Sequence, residues 1–236
     1  MQQPDHDHTE THVGGLASLR DLVIGVADGL TVPFALAAGI TGAVAASGLV
    51  VTAGIAELAA GAISMGLGGY LAARTEAQHY AKEHAREVRE TLEIPAIEKA
   101  EVAQILARYG IREPVLANAV EEIARDRDHW VDFMMRNELG LEKPRAGAAS
   151  QSAALVGGGY VLGGVFPLAP YFFVPNAHEA LLWSIGVTSL ALIVFGVLRA
   201  RVLQTPVLAG ALQSWVVGAV AAAAAFGLAH LVNAHA

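Results

Sequence analysis

Five stretches long enough to cross a bilayer decide what this chain can become. They run approximately Leu22 to Val44, Leu49 to Ala72, Ser152 to Tyr171, Ala180 to Leu198 and Val207 to Val232. Each offers about 20 mostly apolar residues, the length an α-helix needs to span a hydrocarbon core. The charges are segregated to match. From Glu76 to Glu142 the sequence is dense in Glu, Arg, Asp and Lys, and on either side it is almost bare. Only 16% of residues are charged, against about 25% in an ordinary soluble domain. The expected fold is all-α: a multi-pass membrane protein with five transmembrane helices and one soluble helical insert between spans two and three. Its parts would be a tail at 1–20, spans at 21–75, the insert at 76–149 and spans at 150–236.

Every Lys and Arg falls in three places: Arg20 before the first span, Arg74 to Arg145 in and around the insert, and Arg199 with Arg201 before the fifth span. With alternating spans these regions share one side, which the positive-inside rule makes cytoplasmic. The N-terminus and the insert are therefore expected in the cytoplasm, and the C-terminus on the opposite side. The start of the chain lacks the Lys/Arg-led region and cleavage site of a signal peptide. There is no cysteine, so a metal site must use carboxylate, imidazole, thioether or backbone oxygen. A net charge of −7 without a basic stripe argues against nucleic acid as a partner.

Within the insert, a breaker-free run from Glu76 to Leu92 continues the second span and ends at Pro95. A second helix is expected near Ala96 to Tyr109, and a third from Glu113 or Pro114 to Leu139, making a three-helix bundle. Glu83, Glu87 and Glu90 share a face of the first helix; Glu98 and Glu101 share one on the second, as do Met134 and Glu138 on the third. Like charges so spaced repel, by a few tenths of a kcal/mol per pair, and a divalent cation between them would reverse the sign. The plainer reading is a solvated surface neutralised by Arg86, Arg89 and Lys99. Met134 beside carboxylates suits a softer ion than Mg²⁺ or Ca²⁺.

The spans hold two acids of their own. Asp28 and Glu57 sit at hydrocarbon depth, where an ionisable side chain costs about 2.5–3.5 kcal/mol on insertion scales and usually marks an ion or proton path. Pro33 follows Asp28 by little more than a turn and frees a backbone carbonyl near it. Met65 lies two turns from Glu57 on one face. An interfacial acid at Asp28 and a structural hydrogen bond at Glu57 are the alternatives. His6, His8 and His12 form a tail that could gather metal weakly; His79, His84 and His129 read as satisfied or exposed, and Gly159 to Gly163 is a weak GxxxG match.

Three motifs then stand in order: DGLTVPFALAAG from Asp28, ELAAGAISMGLGGY from Glu57, and WVDFMMRNELGLE from Trp130. Together they resemble the vacuolar iron transporter family, which includes yeast iron/manganese carriers, over nearly the whole chain from Asp21 to about Leu231. The resemblance implies a five-span homodimer that moves Fe²⁺, often Mn²⁺ too, out of the cytosol in exchange for protons. Carboxylate-rich sites follow availability as much as identity, so Co²⁺ and Zn²⁺ stay open as further substrates. It implies cytoplasmic metal ligands at Glu87, Glu90, Glu98, Glu101, Met134 and Glu138, and a transport path through Asp28, Glu57 and Met65. A short, Ala-rich chain without the long N-terminal extension of some eukaryotic members points to a bacterial cytoplasmic membrane rather than a vacuolar one. The rivals are a membrane-anchored iron-binding or ferroxidase-type carboxylate bundle, which lacks the Glu-x-x-His pairing such sites use, and a passive divalent-cation channel.

Overall fold

In the computed structural model, residues 12–43 and 45–235 are described. Their order is α1 (His12–Thr41), α2 (Ser47–Glu93), α3 (Pro95–Arg108), α4 (Val115–Arg125), α5 (Arg127–Asn137), α6 (Ala148–Phe173), α7 (Ala177–Val202) and α8 (Val207–His235). The His6 and His8 of the tail lie outside the described residues. Five helices (α1, α2, α6, α7 and α8) are long and apolar enough to cross a membrane. The chain divides into two compact units, residues 72–148 and the remainder, with α2 contributing to both.

The spanning unit is assembled backbone to backbone. Lipid tails are as apolar as leucine, so helices associate there through close packing rather than through flight from water. Gly25 and Gly29 of α1 face α6 so closely that a Cβ on either would collide with the carbonyl of Val156 or Tyr160. Gly163 of α6 returns the fit: a Cβ there would lie 2.6 Å from the Val26 carbonyl oxygen. The GxxxG match at Gly159–Gly163 thus meets a second one at Gly25–Gly29. Gly66 of α2 and Gly157 of α6 make a similar crossing. Leu182, Leu190, Val220 and other large apolar side chains stay exposed on the outside, as a lipid-facing surface requires.

The joints that carry no Lys or Arg are tied to each other. Ser47 N–H donates to the Pro175 carbonyl at 3.0 Å, Ala177 N–H to the Ala45 carbonyl at 2.9 Å, and the Ser47 hydroxyl to the Val174 carbonyl at 2.6 Å. The α1–α2 and α6–α7 joints therefore lie on the same side of this unit, as alternating spans demand.

The unit at 72–148 packs by side chains instead. Val102, Ile105, Leu106, Val120, Trp130 and Met134 form its apolar core. Pro95 closes α2 and opens α3 at its first turn, where its missing N–H costs nothing. The single helix expected over 113–139 is broken. Asp126 is extended (φ −111°, ψ 124°) and its carboxylate accepts from the His129 N–H at 2.9 Å. This N-cap restarts the chain as α5 and accounts for the Asp126/His129 pair, which is exposed.

Candidate functional site

The acids within the spans lie against α6. Tyr160, 3% exposed on α6, donates its hydroxyl to Glu57 Oε1 on α2. One turn beyond Glu57, Gly61 makes room for the phenol ring, which a Cβ there would meet at 2.6 Å. The other carboxylate oxygen, Glu57 Oε2, is buried without a partner. Asp28 is half-buried and within electrostatic range of the same phenol; the glycine after it, Gly29, is the one packed on the Tyr160 backbone. Among the described residues the spanning unit's one ion pair is Arg20–Asp21, at 3.6 Å. Asp28 and Glu57 thus have no ion-pair partner among the described residues. Asp21 is itself buried, two turns before Asp28 on the same face.

Asp28, Glu57 and Tyr160 are therefore brought together. Met65 is half-buried two turns along α2 from Glu57 and belongs to no buried cluster. Tyr160 was not singled out in the sequence. Its signal there is a lone phenol amid small residues, Gly157 to Gly159 and then Gly163 and Gly164, where a hydroxyl needs a partner.

The second set of acids stands at the meeting of α2, α3 and the end of α5. Glu87 is 1% exposed and Glu98 3%, and each has its Oε2 buried without a partner. Burial raises the proton affinity of Glu87, Glu98 and Glu138, and the surrounding carboxylates raise it further. Glu98 is pushed furthest, to about 7, by burial first and then by Glu101, Glu87, Glu90 and Glu138. Five of the expected ligands thus feel one another's charge. Arg86 answers part of it, with contacts of 3.2 Å to Glu83, 3.1 Å to Glu87 and 3.5 Å to Glu90. Lys99 turns away to Glu121 at 2.7 Å.

Met134, 0% exposed, is packed within the apolar core with Trp130 and Val102, which is its plain structural role. Among the described residues no three His, Asp or Glu side chains converge closely enough, as placed, to enclose an ion. Glu83 is taken up by Arg86 and lies 3.9 Å from His79. The His84 ring lies against Tyr80, centroids 6.0 Å apart.

The fold and these two groups of acids define a multi-pass membrane protein with an acidic helical insert. Residues 19–230 match the VIT family, and the chain belongs to it. It is 51% identical over 229 residues to vacuolar iron transporter 1 of Arabidopsis thaliana, covering 97% of this chain and 91% of that protein. Vacuolar iron transporter 1 of Tulipa gesneriana is 49% identical over 227 residues, 96% of this chain and 92% of that protein. Protein CCC1 of Saccharomyces cerevisiae is 40% identical over 185 residues, 78% of this chain and 57% of that protein.

Proposed function

We propose that this chain is a transporter, not an enzyme, and that it carries Fe²⁺, with Mn²⁺, Co²⁺ and Zn²⁺ as related substrates, out of the cytosol in exchange for protons. The observation that carries this reading is a VIT-family chain whose two intramembrane carboxylates, Asp28 and Glu57, have no cationic partner among the described residues. An ionised carboxylate in a low-dielectric span is neutralised either by a proton or by a bound cation. One site that accepts either, and not both together, is the physical basis of exchange.

In this mechanism Glu57 and Asp28 bind the ion at mid-membrane, and the Tyr160 hydroxyl holds one Glu57 oxygen so that the other faces the ion. The Gly29 carbonyl, which loses its helical donor because Pro33 has no N–H, is a further oxygen near Asp28. Met65 adds a soft ligand that disfavours Ca²⁺ and Mg²⁺. The acidic cluster of the insert, Glu87, Glu90, Glu98, Glu101 and Glu138 with Met134, gathers cations on the cytoplasmic side. Closing that cluster on an ion requires side-chain rotation, and for Met134 a departure from the core. In this reading the N-terminus and insert face the cytoplasm, the side that carries every Lys and Arg. A homodimer would set two copies of Asp28 along one path.

The test is Fe²⁺ uptake into proteoliposomes with and without an imposed pH gradient, acid inside. Uptake that requires the gradient and is accompanied by proton release from the vesicles is expected. Uptake indifferent to the gradient would leave a passive channel, and binding without uptake would leave a storage bundle.

A further inference from the structure

The guanidinium of Arg86 lies among three of the insert's acids. Arg86 spans three carboxylates of its own helix: Glu83 one turn before it, the adjacent Glu87, and Glu90 one turn after. Its hydrogen bond to Glu87 Oε1 takes one oxygen of that carboxylate, while Glu87 Oε2 is buried with no partner. Glu98 Oε2, on α3, is buried and unpartnered in the same way. The Arg86 Nε is also buried without a hydrogen bond, so the guanidinium is held by charge more than by a completed fork. Glu87 and Glu90 thus already face a tethered monovalent cation.

We propose that Arg86 is a built-in competitor for the metal site of the insert: its guanidinium and a divalent cation contend for Glu87 and Glu90, and the ion binds by displacing it. This rests on the reading of the insert as a cation-gathering site. Displacement has two consequences. Arg86 keeps a cluster of at least five acids from being a site of indiscriminately high affinity, which would trap an ion that must be handed on. It also favours ions that bind carboxylate strongly enough to expel a guanidinium, so weakly held cations are rejected. The side chain is 40% exposed, so it can swing to water while the incoming ion takes its place against the buried Glu87.

Fe²⁺ binding to the full chain in detergent, measured anaerobically by titration calorimetry, tests this with Arg86→Gln, Arg86→Lys and Glu87→Gln. Arg86→Gln should tighten binding about tenfold or more, and the gain should persist at high salt, because a displaced contact is unscreened whereas a distant field is not. Arg86→Lys should fall between, since an ammonium cannot fork across several carboxylates. Unchanged or weaker binding in Arg86→Gln, or a gain abolished by salt, overturns the proposal, provided Glu87→Gln loses affinity. If Glu87→Gln binds as the parent does, the insert is not the metal site and the reading beneath the proposal fails as well.

Discussion

The spanning unit and the insert both bury carboxylates, and they treat them in opposite ways. In the spans there are few acids and, among the described residues, no cation against Asp28 or Glu57; what meets Glu57 is a neutral phenol, Tyr160. In the insert there are many acids close together, with Arg86 set among them. Sparse acids without a partner suit alternation between proton and ion. A crowded cluster with an internal cation suits capture and release. The packing differs in parallel: glycine lets backbones touch in the spans, while Val102, Trp130 and Met134 fill a side-chain core in the insert.

The largest effect should come from the glycine seam. Gly29→Leu forces a side chain into the Tyr160 carbonyl, and overpacking of this kind costs about 1–3 kcal/mol or more; folded protein should not be recovered by size-exclusion chromatography. Gly68→Leu, with nothing within 4 Å of its Cβ position, should express as the parent does. Equal recovery of both would mean that the seam does not hold the spans together.

Next is Tyr160→Phe, which removes the hydroxyl and leaves the ring. A hydrogen bond to a charged group is worth about 1.5–3 kcal/mol, so the Fe²⁺ concentration for half-maximal transport should rise about tenfold. Unaltered kinetics would separate Tyr160 from the site.

A smaller effect is expected from Glu98→Gln. Because Glu98 holds its proton up to about pH 7 instead of 4.5, the folded insert binds more protons than the unfolded chain in that window. Stability without metal should therefore fall as pH rises from about 4.5 to 7. Glu98→Gln should flatten that slope and raise the unfolding midpoint at pH 8, read by circular dichroism; an unchanged slope would mean that Glu98 is not the group held protonated. Smallest of all, Lys99→Ala breaks an exposed pair with Glu121 and should shift stability by less than about 1 kcal/mol. A larger shift would show that Lys99 does belong to the acidic cluster.

Much of this molecule was legible as pattern. Hydrocarbon thickness fixes span length, so apolar windows alone located the five long helices, and spacing along a helix was enough to set Glu87 and Glu90 on one face. What escaped were relations between elements. Asp126 lies in a continuous run of charged helix formers with no Gly or Pro, so its capping role, visible only in the His129 hydrogen bond, left the third insert helix looking unbroken. Tyr160 is far from Glu57 in sequence and has no periodic signature. Lys99 was a candidate counter-ion by proximity along the chain, but the fold gave it to Glu121 and left Arg86 with the cluster. Met134 shared a helical face with Glu138, yet the same face serves the core.

The most direct test of this division of labour is a pair of uptake curves over Fe²⁺ concentration, for Asp28→Ala and for Glu87→Gln, in proteoliposomes with an acid interior. Asp28→Ala should abolish uptake at every concentration, while Glu87→Gln should need more Fe²⁺ but approach the parent's rate at saturation. Residual saturable uptake in Asp28→Ala, or none in a folded Glu87→Gln, would contradict the account.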